Sequence, residues 1–240
     1  MANVLVNDAS LADIAEAIRE KNGTEETYKP AEMGDAVRAI ESGGGVGIIL
    51  KDFNSTGSPL TVDIRGLQSH YDNLKDDTLK QRFSGNLSYL CYNFGSGSTN
   101  GLYTQVVDAY LIDGLDKLPM NMFNYCTALK NIHGDLTEVA TLGNNCFAFC
   151  VSLTELPYMP SLNKLDNTVF NSCTGLTRIK LYKTPSNSSN ISNSAFVNCK
   201  NITDIYVPWS EGEINNAPWG AVNATVHYNT AYDENNEPIV

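Results

Sequence analysis

The spacing of apolar positions changes along the chain, and each change marks a different kind of element. Between residues 10 and 41 the spacing is helical: Leu11, Ile14, Ala15 and Ile18 recur at three- and four-residue steps, which lines one side of an α-helix. Ser10 is placed to cap that helix, Asp13 to reciprocate the cap and Gly23 to stop it. After a polar stretch, Pro30 suits a first helical turn, and Met33, Ala36, Val37 and Ile40 repeat the spacing. The pattern predicts a helical hairpin over residues 1–41. Two short helices bury too little to stand alone. The stripe of Leu11, Ile14, Ile18, Met33, Val37 and Ile40 is therefore expected to dock on another copy of itself or on another protein.

Helical spacing ends at Ser42-Gly43-Gly44-Gly45. Glycine loses the most backbone entropy on ordering and offers nothing to pack, so residues 42–46 read as a linker. Residues 47–114 read as a β-rich segment. Within it, residues 47–50, 60–64, 87–94 and 102–112 are rich in β-branched and aromatic side chains and are separated by turn-prone stretches. Residues 72–83, with sparse apolar positions at Leu74, Leu79 and Phe83, allow one short helix.

From residue 115 a longer period takes over. Phe123-Asn124-Tyr125-Cys126-Thr127-Ala128-Leu129 returns as Phe147 to Leu153, Phe170 to Leu176 and Phe196 to Ile202, at intervals of 24, 23 and 26 residues. Each copy reaches a further apolar residue three places on, at Ile132, Leu156, Ile179 and Ile205, so the unit is Phe-x-x-Cys-x-x-Leu-x-x-Ile. A period of this length, with an apolar step leading into a strand, fits a leucine-rich-repeat coil over residues 115–207. Strands of adjacent coils would lie about 4.8 Å apart, so equivalent Phe, Cys and Leu side chains form inward ladders.

Six cysteines are too few for a disulfide scaffold of 240 residues. Structural zinc draws its ligands from pairs two to four residues apart, whereas Cys126, Cys150, Cys173 and Cys199 are separated by repeat lengths. They read as core thiols. Cys146 lies close to Cys150 but has no matching His or Cys pair, and Cys91 fits no pattern.

Composition narrows the function. Apolar residues at 42% and charged residues at 18% describe a folded chain, and a net charge of −11 opposes binding to nucleic acid. Residues 1–8 lack a basic segment before an apolar core, so no signal peptide is read and synthesis in a cytoplasm is expected. No apolar run approaches the length of a membrane span, and membrane insertion is not expected. His70, His133 and His227 stand in no nucleophile, zincin or deaminase context and read as ordinary surface or packing side chains. Gly95-Ser96-Gly97-Ser98 reads as a loop, and the carboxylate pairs Asp76/Asp77 and Glu211/Glu213 as solvated surface. No cofactor and no enzyme activity are expected.

The aromatic residues near the end of the repeat admit two readings. Tyr206, Trp209, Trp219 and Tyr228 suit a ligand- or partner-binding platform, since aromatics give large contact area at low entropy cost. The favoured alternative is the hydrophobic plug of a capping segment over residues 208–240, because Pro208-Trp209 and Pro218-Trp219 sit where the repeat must end. The fold class expected is mixed α+β: an N-terminal helical hairpin, a β-rich middle segment and a C-terminal leucine-rich-repeat solenoid with a capping segment.

The Phe-x-x-Cys-x-x-Leu unit resembles the BspA-like leucine-rich repeat, and the stretch through Trp209, Trp219 and His227 resembles the closing segment of such repeats in Gram-positive bacteria and their phages. The hairpin, Ser10 to Gly23 followed by Tyr28 to Met33 and Ala36 to Ile40, is similar to an N-terminal module of virion and tail proteins of Firmicutes phages and prophages. That resemblance implies a virion structural protein, a tail or fibre component. It would be held by its hairpin on other virion proteins and display the repeats toward a host cell-surface protein or glycan. A homo-oligomer, with a trimer favoured, is the usual fibre solution. Rival readings are a bacterial surface or adhesion module and, more remotely, an enzyme acting on cell-wall sugar.

Overall fold

The computed structural model describes residues 60–88, 90 and 102–239. By its internal contacts the chain divides into Met1–Ile49 and Leu50–Val240. The hairpin expected at 1–41, the linker at 42–46, the strand at 47–50, Cys91 and residues 92–101 lie outside the described residues.

Each Phe-x-x-Cys unit makes one corner of a coil. Phe123, Phe147, Phe170 and Phe196 are fully buried, and their rings stack in sequence at 5.3, 5.5 and 5.4 Å. The thiols point along the same axis. Cys150 donates to the carbonyl of Phe123, Cys173 to Phe147 and Cys199 to Phe170, at 3.2, 2.9 and 2.8 Å. Each of these carbonyls also accepts the N–H of the cysteine in its own unit. Cysteine fits because it is a small apolar residue carrying one weak donor.

The residue before each cysteine, Tyr125, Phe149, Ser172 and Asn198, takes a φ of 61–63°, a left-handed conformation that costs about 1–2 kcal/mol in a non-glycine residue. Stacking offsets this cost in three of them: Tyr125, Phe149 and Ser172 each donate their N–H to the next coil at 2.8–2.9 Å. At Gly175 the coils approach so closely that a Cβ would lie 2.5 Å from the Val151 carbonyl oxygen, so this corner has no room for a side chain.

Two series of short parallel strands run along the solenoid. One holds β3 (Lys117–Leu118), β5 (Thr141–Leu142) and β6 (Lys164–Leu165), continued by a bridge from Leu165 to Ile191. The other follows the Leu-x-x-Ile step in two sheets. β1 (Leu60–Asp63), β2 (Val106–Tyr110) and β4 (Asn131–His133) form the first; β7 (Arg178–Lys180), β8 (Asp204–Tyr206) and β9 (Thr225–His227) form the second. The ladder pauses between them. Pro157 stands four residues after Leu153, the place His133 and Lys180 hold in their own units, and proline brings no N–H to a ladder.

The segment before the repeats departs from the expected strands. Residues 60–63 are a strand, but residues 87, 88 and 90 are turns, and the run at 102–112 begins as a 3-10 turn, Leu102–Gln105, before β2. Two short helices, α1 (Gln68–Asp72) and α2 (Asp77–Asn86), lie between. The side chain of Asp76 accepts from the Leu79 N–H and fixes the start of α2, while Phe83 and Leu87 are buried, with Phe83 against Tyr71. The apolar side chains of Leu87 and Leu90 thus follow the end of a helix. The repeat region is a β-solenoid of stacked coils with few helices. Among the described residues no helix is long and apolar enough to cross a membrane.

Beyond the fourth unit one more coil carries β9, and the antiparallel hairpin of β10 (Ala231–Tyr232) and β11 (Pro238–Ile239) follows.

Candidate functional site

Alternation along the Leu-x-x-Ile strands decides what faces out. Ala109, Ile179 and Ile205 are fully buried, so their neighbours present the opposite face. Register then sets side chains of different coils beside one another. Asp108 pairs with Asn131 and Tyr110 with His133; Asp204 pairs with Thr225 and Tyr206 with His227.

The result is the same constellation twice. In the first sheet the His133 ring stacks on Tyr110 at 4.3 Å, its Nε2 lies 3.2 Å from the Asp108 carboxylate, and Asn131 donates to that carboxylate at 2.8 Å. The Arg65 guanidinium, paired with Asp63, lies over the Tyr110 ring at 4.4 Å. In the second sheet His227 stacks on Tyr206 at 4.4 Å and reaches Asp204 at 2.8 Å, with Arg178 at 5.7 Å from the Tyr206 ring. Hydrogen bonds from Thr203 and then from His227 hold the Asp204 carboxyl below the usual carboxylate range. His133 and His227 do pack, each on a tyrosine and beside an aspartate. The sequence conceals this because the partners lie on different coils.

Chemically, each cluster offers a flat aromatic pair edged by a cation, a carboxylate and an imidazole. Such groups recognise a ligand through stacking and charge-assisted hydrogen bonds. Among the described residues the Nε2 atom of each histidine lies against a carboxylate, not a hydroxyl or a thiol. Nor does any group of three or more His, Cys, Asp or Glu gather there to hold a metal ion. Burial pushes the Cys173 thiol well above its ordinary range, as befits a core group.

The aromatic platform requires correction. Trp209 and Trp219 are 2% and 0% exposed and pack edge to face at 6.0 Å, and Tyr206 is 7% exposed. The Trp219 indole donates to the Asn215 carbonyl, and the Trp219 carbonyl accepts from Phe196. Both indoles fill the interior of the coil that follows the last Phe-x-x-Cys unit, where no ligand reaches them. Tyr228 alone of the four is half-exposed. The docking residues Leu11, Ile14, Ile18, Met33, Val37 and Ile40 lie outside the described residues.

A shallow cleft of about 240 Å³ opens beside the other strand series, among Lys164, Asp166, Asn167, Asn190, Ser192 and Asn216. It is polar and small beside the pockets that enclose small molecules.

Residues 103–219 match the BspA type leucine-rich repeat region, in six copies. This part of the chain is a BspA-type leucine-rich repeat region. The six copies exceed the four Phe-x-x-Cys units, and the matched span reaches past those units on both sides. The chain is also similar to two solved structures. The leucine-rich repeat protein of T. pallidum, TpLRR, is 22% identical over 52% of this chain and 57% of its own, with a TM-score of 0.41. A leucine-rich repeat protein from Bacteroides ovatus is 20% identical over 52% of this chain and 30% of its own, with a TM-score of 0.42. The matched part thus spans less than two thirds of either protein. No curated protein matches the chain, and these comparisons bring in no catalytic family.

Proposed function

We propose that this protein is a recognition module that binds a cell-surface ligand, protein or glycan, through the outward face of its BspA-type strands. The observation that carries this reading is the exposed cluster of Asp108, Tyr110 and His133 with Arg65, placed on a strand face whose other side is sealed core. Surfaces that combine stacked aromatics with arginine are typical of binding hot spots. The module belongs, on this proposal, to a phage or prophage particle, in a tail or fibre. It is held there on other virion proteins by residues 1–41, associates as a homo-oligomer with a trimer favoured, and displays the repeats to the host cell. The support for this setting is the similarity of residues 10–40 to N-terminal modules of virion proteins.

A bacterial surface or adhesion module is the second reading, favoured by the same strand face, which serves either carrier equally. Purified particles and washed cells, probed with an antibody to this chain, separate the two. The protein should be found in particles, and adsorption of particles should fall when Tyr110→Ala and His133→Ala are combined. Absence from particles together with presence on cells would sink the phage setting; unchanged adsorption would sink the strand-face reading.

A further inference from the structure

Of the two Asp-Tyr-His clusters, the second is covered. Tyr110 is half-exposed and His133 exposed, whereas Tyr206 is buried and His227 half-buried. The cover is the hairpin of β10 and β11. Its Glu237 carboxylate lies 3.2 Å from Arg178 and 3.1 Å from Lys180, and Lys180 also donates to the backbone carbonyl of Asn236 at 2.7 Å. The Asn236 side-chain amide donates to the Tyr182 hydroxyl at 2.8 Å. Tyr232 packs on Tyr182 at 4.6 Å, and its hydroxyl lies 3.1 and 3.2 Å from the carbonyls of Leu181 and Tyr206.

We infer that Arg178, Lys180 and Tyr182 form a subsite for an extended acidic peptide segment of a partner protein, and that the chain's own Asn236-Glu237 occupies this subsite as a displaceable internal ligand.

Three features favour this. The chain carries a net charge of −11, with 16 basic against 27 acidic residues, so two cations side by side on one strand are a local exception that attracts an anion. What they hold is a peptide: the site reads a carboxylate, the backbone carbonyl just before it and the side-chain amide of that same residue. The cover is also weakly held. It is a hairpin of two two-residue strands, and such ribbons are marginal on their own. Its ion pair from Glu237 to Arg178 is half exposed on both sides, at 56% and 50%, and exposed pairs contribute little. An acidic segment of another protein presents the same groups and competes for the same atoms. A site that its own cover leaves open one-tenth of the time binds roughly tenfold more weakly than the bare site.

The inference rests on the strand face being a binding surface, and its test is kept apart from host adsorption. A fluorescent peptide with the sequence of residues 231–240 is titrated, by anisotropy, into the full chain and into the full chain carrying Glu237→Lys. That substitution sets a third cation against Arg178 and Lys180 and lifts the cover. The peptide is expected to bind the variant at least about tenfold more tightly than the native chain. Binding should weaken as salt is raised and be lost when Arg178→Ala and Lys180→Ala are added. If Glu237→Lys does not fold, by circular dichroism, Glu237→Gln keeps the shape and removes the charge, and the same outcomes are read. A folded variant that binds no better than the native chain would overturn the inference, as would binding that survives loss of both cations. A native dimer in light scattering that Glu237→Lys dissolves would also overturn it, by assigning the subsite to the hairpin of a second copy. Any of these leaves the strand-face reading standing, because adsorption through Tyr110 and His133 is measured separately.

Discussion

The phenylalanine ladder is where single residues hold the solenoid together. Each Phe is sealed from solvent, and Phe147 and Phe170 are sandwiched between two others, so removing either ring leaves a void that coils pinned by backbone hydrogen bonds on both sides cannot close. Phe147 illustrates this, lying between Phe123 and Phe170 with its N–H bonded to Val169. Phe147→Ala is expected to destabilise the fold by about 3–5 kcal/mol, read from the midpoint of chemical unfolding. A near-neutral result would mean the coils are not stacked through this residue. These positions are legible in the sequence because a ladder repeats one residue type at one spacing. Tyr110 and His133 are not, since a stack between unlike residues on neighbouring coils leaves no repeated signature. Trp209 and Trp219 fail for another reason: a tryptophan after a proline looks alike in a plug and in a platform, and only the packing of the following coil decides.

At the scale of elements, the Leu-x-x-Ile step led into strands at Ile132, Ile179 and Ile205 but not at Leu156, and composition found the strands at 60–63 and 106–110 but misread residues 87, 88 and 90. Residues 87, 88 and 90 have the apolar content of a strand, yet the Asp76 cap upstream commits that stretch to the end of α2. The hairpin of β10 and β11 escaped notice for want of length, although its docking is specific. Burial first, and then the phenols of Tyr182 and Tyr206 nearby, push the Tyr232 hydroxyl above its ordinary range. A raised acid has a simple sign: the neutral form is favoured in the folded state, so its contribution is complete below the ordinary tyrosine range near 10 and fades as pH climbs through the raised value. The hairpin is accordingly expected to release above the ordinary tyrosine range, seen as faster amide exchange at residues 178–182. Tyr232→Phe should weaken docking at neutral pH and remove that alkaline step. An alkaline step that persists in Tyr232→Phe would assign it to another group.

For the whole molecule, the question is where association resides. A solenoid draws its stability from contacts between neighbouring coils, and here those contacts are complete within the chain. Three short parallel sheets and the hydrogen bonds at the Phe-x-x-Cys corners join neighbouring coils, and the indoles of Trp209 and Trp219 fill the coil after the last repeat. The repeats therefore have no need of a second copy to fold. The helical hairpin expected from the sequence at residues 1–41 differs, because on the proposal above its apolar stripe docks on a partner. Deleting residues 1–45 should leave unfolding of the repeats unchanged and lower the mass seen by light scattering from a multiple of 26.2 kDa to that of a single shortened chain. If the assembly survives the deletion, the repeats themselves associate, and the strand face, with its stacked tyrosines and histidines, becomes the first place to look for the contact between copies.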